Sequence, residues 1–392
     1  MGFSQKSSPA YTLMTHLNEQ QAFMVLNGLS SIGPMTIKKL LPAFNNDIRR
    51  LFSSSAGELR ERGGVSEKVA EVIFNWRRWF DLEKEEKSLG ALNGQFIHWF
   101  HNEYPPLLKE IYDPPLGLYC LGKLPPHVKT IAIIGSRKAS LYGLKVAKQL
   151  ASELARLGFS IISGMARGID SAAHEGALEA NGHTVAVLGC GVNVIYPSEN
   201  GALYKKISQS GAVVSEFSLG RMVDKTTFPM RNRIISGFSR AVVIVESDKN
   251  GGSMITANFA AEHGRSLLVV PGRIDQSSSR GCHHLIRDGA TLITCVDDIL
   301  EEIHYQAQLE LPLASMAQNK TSPTPLMALS ENEQKIYKCL DEDGMKTIDD
   351  LSLMTSLSIS EVASLLLKME LKKMLVKRAD GLFELHSYDA KN

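Results

Sequence analysis

The chain has almost no charge imbalance: 43 Lys and Arg stand against 42 Asp and Glu. No field surrounds the whole molecule, so any polyanion site must be a local concentration of cations. Five cysteines (Cys120, Cys190, Cys282, Cys295, Cys339) are odd in number and contain no C-x-x-C pair. That argues against a disulfide framework or a cysteine zinc site and fits a reducing compartment. No apolar run approaches the roughly 18 residues of a membrane span. The first residues also lack the basic-then-apolar order of a secretory leader. The expected location is the cytoplasm, with no membrane partner.

What is present is a chain of 392 residues, 44% hydrophobic, enough for two or three domains with a substantial core. From about Thr15 to Glu86 the pattern is helical. Leu26-Asn27-Gly28-Leu29-Ser30-Ser31-Ile32-Gly33-Pro34, ahead of Ile37, Leu40 and Leu41, resembles a helix-hairpin-helix turn. Such a turn either donates backbone N–H groups to a DNA phosphate or only reverses the chain. Prolines crowd residues 102–126, which predicts extended chain or turns there, a strap between domains. From Thr130 to about Ile303 short apolar strands alternate with helical patterns. Strands are expected at 130–134, 159–163, 184–188, 212–215, 241–245 and 267–270, and Val146, Leu150, Leu154 and Leu157 mark one helix face. Repeated βα units imply a parallel sheet covered by helices, with ligands at the carboxyl ends of its strands.

Residues 305–330 read as a linker. Helices are expected near 331–341, 347–355 and 359–373. An extended Leu375–Arg378 then returns through Asp380-Gly381 to Leu382–Leu385, the order of a winged helix. From residue 327 onward nine Lys and Arg face twelve Asp and Glu. Duplex binding needs phosphate-neutralising cations, so a protein-docking role suits this segment at least as well. The expected division is a helical domain at 1–90, an α/β domain at 91–305, a linker at 306–326 and the winged-helix-like domain at 327–392.

Three strand ends carry the candidate chemistry. The first runs into Gly135-Ser136-Arg137-Lys138, the second into Ser163-Gly164-Met165-Ala166-Arg167, and the third leads to Gly251-Gly252-Ser253. A strand that ends in small residues before a helix leaves backbone N–H groups to face an anion. Three such turns predict a surface that holds several phosphates. The first turn has neither the G-x-G-x-x-G spacing of a dinucleotide fold nor the terminal Gly-Lys-Ser/Thr of a P-loop. The second strand ends without an acidic residue for a ribose hydroxyl. Both absences weigh against NAD and against nucleoside triphosphate hydrolysis.

Lys225 and Phe228-Pro229-Met230-Arg231-Asn232-Arg233 form a further cluster. Arginine and asparagine serve phosphates or base edges, and Phe228 can stack on a base. The structural alternatives are that Arg137 pairs with a nearby carboxylate, that Arg231 and Arg233 pair with Glu216 or Glu246, and that Phe228 is core. Asp170 reads as a helix cap more than as an acid–base group with His174, and His283 and His284 read as structural.

These segments together resemble the DNA-processing protein A family (DprA, also called Smf). The resemblance rests on Tyr104-Pro105-Pro106-Leu107-Leu108, Gly135-Ser136-Arg137, Ser163 to Asp170 with Ala173-His174, and Tyr196-Pro197 with Asn200. Phe228 to Arg233, Gly252-Ser253-Met254-Ile255-Thr256-Ala257 and Pro271-Gly272 complete it. Gly251, Ser198 and His283 depart from the family's usual residues at the pocket rim. The resemblance implies an extended Rossmann-like sheet flanked by a helix-hairpin-helix or SAM-like domain and a winged helix. It implies a protein that binds single-stranded DNA without catalysis, cofactor or metal. It also implies a homodimer that loads the recombinase RecA during natural transformation. The DNA contacts it implies are Gly135, Ser136, Arg137, Lys138, Ser163, Gly164, Arg167, Lys225, Phe228, Arg231, Asn232, Arg233, Gly251, Gly252 and Ser253. An alternative is a nucleotide phosphoribohydrolase of the LOG type, but Asn258 stands where that family carries its catalytic glutamate. A third is a recombination scaffold whose pocket binds no DNA.

Overall fold

The computed structural model describes residues 17–29, 31–125, 129–309, 330–371, 375–377 and 382–385. The described residues up to 309 form one compact unit and those from 330 onward a second.

The first unit begins with helices α1 (Glu19–Gly28), α2 (Pro34–Ala43), α3 (Arg50–Ser53), α4 (Ala56–Gly63), α5 (Glu67–Phe74) and α6 (Leu82–Ala91). Asn18 with Gln21 and Ser55 with Glu58 close capping boxes at α1 and α4, which satisfies the first N–H groups of each helix. Apolar residues Phe23, Leu26, Ile37, Leu40 and Leu41 are buried between these helices and the sheet. Two polar contacts fasten the helices there. Asn27 Nδ2 donates to the Glu216 carbonyl at 2.7 Å, and the Leu219 N–H donates to Glu85 at 2.8 Å.

Strand β1 (Gln95–His98), the short helix α7 (Pro106–Lys109) and strand β2 (Gly117–Gly122) follow. The proline-dense stretch is therefore part of the sheet and not a strap outside it. Pro105 and Pro106 sit at the start of α7 and Pro114 and Pro115 precede β2, which leaves Gly117 to Gly122 free to pair. The α/β repeat then runs β3 (Thr130–Ile134), α8 (Leu141–Arg156), β4 (Ser160–Ser163), α9 (Ile169–Glu179), β5 (Thr184–Val187), α10 (Gly201–Ser210) and β6 (Ala212–Ser215). It continues through α11 (Thr227–Phe238), β7 (Ala241–Ile244), α12 (Gly252–Glu262), β8 (Ser266–Val269), α13 (Arg280–Arg287), β9 (Thr291–Leu292) and α14 (Val296–Leu309). Each of the six strands expected from the pattern is present.

The nine strands make one sheet in the order β1-β2-β6-β5-β4-β3-β7-β8-β9, parallel from β6 to β9, with β1 and β2 added antiparallel. Strands β3, β4, β5 and β7 are buried at every residue, as a sheet covered on both faces requires. Side chains alternate between the faces: Ile131 and Ile133 pack into one core, Ala132 and Ile134 into the other. On α8 the buried stripe is Ala147, Leu150, Ala151 and Leu154. Val146 is only partly covered and Leu157 is exposed. The chain winds outward from β3 to β6 in one direction and from β7 to β9 in the other. The loops after β3 and β7 therefore diverge, and the crevice between them lies at the carboxyl ends of the strands.

Helix α14 continues to Leu309, so the expected linker starts later than residue 305, and its remainder to residue 329 lies outside the described residues. The second unit consists of α15 (Glu331–Asp343), α16 (Ile348–Thr355), α17 (Ile359–Leu371) and the antiparallel pair β10 (Leu375–Lys377) and β11 (Phe383–Leu385). It has its own core of Ile336, Leu340, Leu351, Val362, Leu366, Met369, Leu375 and Phe383. The Asp380-Gly381 turn lies outside the described residues. No single helix among the described residues is long and apolar enough to cross a membrane.

His174, on α9, is fully buried with Nδ1 2.7 Å from the Thr184 hydroxyl. Burial, and secondarily the charge of Arg231, lowers its pKa to about 3. The folded protein holds the ring neutral, while the unfolded chain takes up a proton below about pH 6.5. Stability from this residue is complete above that pH and declines as pH falls toward 3. Urea unfolding at pH 7 and pH 5 is expected to lose about 2 kcal/mol to this residue, and His174→Gln to remove that loss. An unchanged pH dependence in the variant contradicts the assignment.

Candidate nucleic-acid interface

At the divergence of β3 and β7 lies a cavity of about 500 Å³. Its walls are Gly135 to Lys138 after β3, Ser247, Asp248 and Gly251 to Ser253 around the start of α12, and Phe228, Arg231 and Asn232 on α11. Buried Ile134 and Ile235 form the floor. Residues drawn from three distant parts of the sequence thus meet in one crevice.

The three glycine-bearing turns are not equivalent. At the first, the Glu246 carboxylate accepts the Ser140 N–H at 2.9 Å and the Ser140 hydroxyl, which places a protein anion at the N-terminus of α8. Gly143 leaves the room for it: a Cβ there would lie 2.6 Å from the Glu246 carboxyl carbon. At the second, Asp170 does the same. Its carboxylate accepts the Ala166 N–H at 3.3 Å and also bonds the Gly164 N–H. Helix α9 starts after Gly168, whose φ of 77° and closeness to the Ser136 carbonyl admit no side chain. Asp170 is therefore in the first turn of α9 and is not its N-cap. Burial raises the Asp170 carboxyl above its ordinary range, opposed by Arg231 and by these N–H groups. At the third turn α12 begins after Gly251 with no side-chain cap.

The cations divide in the same way. Arg233 is buried, with its guanidinium on the Glu216 carboxylate and donating to the Asp113 carbonyl at 2.7 Å. It does not reach the cavity, and the expected Arg233–Glu216 pair forms. Glu246 pairs with neither arginine. Arg167 is exposed and pairs with Glu199 on a neighbouring surface. Ser163 is buried, with its hydroxyl donating to the Ile133 carbonyl at 2.7 Å. Gly164 lies directly under Arg231, whose Nη1 occupies the place of a Cβ. Asn232 Nδ2 reaches the Gly252 carbonyl at 3.4 Å.

Arg137 and Lys138 are exposed at the rim, and Lys225 is exposed just before α11. No carboxylate lies within 4.0 Å of Arg137 among the described residues; its guanidinium instead covers one face of the Phe228 ring, 4.8 Å from the centroid. Tyr196 stands on another side of that ring at 5.9 Å. Phe228 is half-buried, and neither purely core nor freely offered to a base.

His283 Nε2 lies 2.9 Å from the Gly272 carbonyl, His284 pairs with Asp288, and no group of three metal-ligating side chains occurs among the described residues. Sequence reasoning missed Glu246 as an internal anion, for which an acidic residue closing the run Val242–Val245 was the available signal; it placed Asp170 at the start of a helix, as a cap.

Residues 95–304 match the family model described as DNA recombination-mediator protein A, and residues 320–381 match the DprA winged helix domain. The chain belongs to the DNA recombination-mediator protein A family. Protein Smf of Synechocystis is 31% identical over 386 residues, 90% of this chain and 96% of that protein. The crystal structure of DNA processing protein A from Streptococcus pneumoniae is similar at a TM-score of 0.62 and 32% identity, covering 73% of this chain and 98% of that one. DNA processing protein A from Helicobacter pylori, described for its single-stranded DNA binding mode, is 31% identical, with a TM-score of 0.49 over 55% of this chain and 96% of that one. This DprA-family chain thus carries the family's α/β sheet and its winged helix.

Proposed function

We propose that the crevice between β3 and β7 binds single-stranded DNA by its backbone, and that the protein acts in DNA processing by holding strands and not by catalysis. The observation that carries this reading is the pairing of one uncapped helix N-terminus, at α12, with the exposed cations Arg137 and Lys138 across the same cavity. Free N–H groups and cations aimed at one space recognise phosphate. A cavity of about 500 Å³ admits a nucleotide unit of one strand, whereas a duplex, whose major groove alone is roughly 12 Å wide, does not fit in it. Phe228, braced by Arg137 and Tyr196, supplies an aromatic edge beside the path. The near-zero net charge suits a partner gripped locally. Asn258 at the position of a catalytic glutamate disfavours the phosphoribohydrolase reading.

Membership of the family extends the proposal to a homodimer that loads RecA on incoming strands in the cytoplasm during natural transformation. Light scattering is expected to give a dimer at micromolar concentration, and RecA filament formation on protected strands to accelerate when the protein is added. A monomer, or an unchanged filament rate, contradicts the respective part.

For the strand itself, Arg137→Ala and Lys225→Ala are each expected to weaken binding to every single-stranded sequence alike. Each is also expected to flatten the dependence of log K on log salt by about 0.7. A change of sequence preference with the slope intact signals base reading instead. Arg137→Ala with affinity and slope both unaltered, in a folded protein, overturns the reading.

A further inference from the structure

Arg137 and Lys138 line a second concavity besides the crevice, a groove of about 680 Å³ between α8 and α9. Three further cations line it: Lys145 and Lys148 on α8, and Arg167 ahead of α9. Lys145 and Lys148 are three apart and share one face of the helix. They stand about 6 Å and about 10 Å along its axis from Leu141 at the start. Leu144, packed partly into the core, and buried Ala172 form the floor. Among the described residues that line the groove, Glu175 carries the one carboxylate. Lys148 pairs with Glu179 at 2.6 Å and Arg167 with Glu199, whereas Arg137, Lys138 and Lys145 pair with no carboxylate among the described residues. With those two partners counted, five cations stand against three carboxylates, in a chain whose net charge is only +1. Tyr142, one turn before Lys145, is 56% exposed.

We propose that a single strand seated in the crevice continues over α8 along this groove, with backbone phosphates on Lys145 and Lys148 and a base stacked on Tyr142. The inference rests on the strand-binding reading of the crevice and adds to it a direction for the strand and three residues. Continuity carries it. Arg137 and Lys138 belong to both concavities, so a backbone held by them in the crevice passes to Lys145 without leaving positive surface. Glu175 and Glu179, one turn apart on α9, repel phosphate and keep the path on the α8 side. The Lys148–Glu179 pair is exposed, and such pairs hold too weakly to keep a phosphate out. Tyr142 favours a single strand over a duplex or an acidic protein segment. An exposed ring beside a cationic groove stacks on an unpaired base, which neither of the others offers.

The test uses the full chain with trithymidylate and decathymidylate, read by fluorescence anisotropy over a range of salt concentrations. The fall of log K with log salt is expected to be steeper for decathymidylate. Lys145→Ala combined with Lys148→Ala is expected to flatten that slope by about 1.4, two phosphate contacts at about 0.7 each, and to weaken decathymidylate about tenfold. The same double variant is expected to leave trithymidylate unaltered. Lys84→Ala combined with Lys87→Ala, on α6, removes the same charge and is expected to change neither strand. Tyr142→Ala is expected to weaken decathymidylate about fivefold with the slope intact, and Tyr142→Phe, which keeps the ring, to retain the affinity. Wild-type affinity and slope for decathymidylate in the Lys145/Lys148 double variant overturn the proposal and leave the crevice reading standing. Decaglutamate that displaces decathymidylate at equal concentration, with Tyr142→Ala inert, marks an acidic-peptide site and overturns it too. If trithymidylate fails to bind while decathymidylate keeps its dependence on Lys145 and Lys148, the crevice reading fails and the groove stands as the site of the strand.

Discussion

The carboxylate of Glu246 against the start of α8 is the contact around which the site is organised. It comes from just past the end of β7 and holds Ser140, the residue whose hydroxyl caps the helix that follows β3, so it ties together the two loops that diverge at the switch point. Ser136 N–H donates to the Glu246 carbonyl at 2.7 Å and reinforces the tie through the backbone. A helix N-terminus carries about half a positive charge. With that charge matched from within, the loop Gly135 to Lys138 is held as a rigid wall, and Arg137 is turned outward onto Phe228. The same logic at Asp170 fixes the second turn and leaves a single uncapped helix end among the three.

Charge is thereby sorted by burial. Arg233 and Glu216 are both buried and pair with each other, while Asp113 adds its carbonyl and its carboxylate to Arg233; this arrangement holds α11 against the sheet. Burial raises the Glu216 carboxyl above its ordinary range, and Arg233 opposes the shift. Removal of one partner of such a pair leaves the other uncompensated, which makes it a strong constraint on where α11 lies. Since α11 also carries Phe228, Arg231 and Asn232, the structural pair positions the functional wall. Arg137, Lys138 and Lys225 remain in water, where their charges cost little in stability.

Much of this was legible in the sequence. The apolar runs announced six of the seven parallel strands, because a strand buried on both faces reads as a continuous apolar stretch. The antiparallel strands β1 and β2 and the two-residue strand β9 were not announced. Tyr104 to Pro115 is dense in proline, and periodicity cannot distinguish an extended strap from an antiparallel strand when the pairing partner of β2, β6, is roughly a hundred residues away. The cluster Arg231-Asn232-Arg233 shows a similar limit. The two arginines are adjacent in pattern yet meet different fates, since neighbours two apart on a helix face different directions and only the packing shows which side faces Glu216. The difference between the open turn at Gly251 and the two occupied ones was hidden for the same reason. Asp170 lies in its own turn, but Glu246 reaches the first turn from about a hundred residues away, where sequence order alone does not place it.

The account's central claim is that the strand is held at the N-terminus of α12 beside the cations of the first turn. Amide hydrogen exchange, with and without a short single-stranded oligonucleotide, tests it most directly. Slowed exchange is predicted for Gly252 and Ser253. No change is predicted for Ser140, Gly164 and Ala166, whose N–H groups already bond Glu246 or Asp170. Protection at those three amides with none at Gly252 and Ser253 would contradict the account.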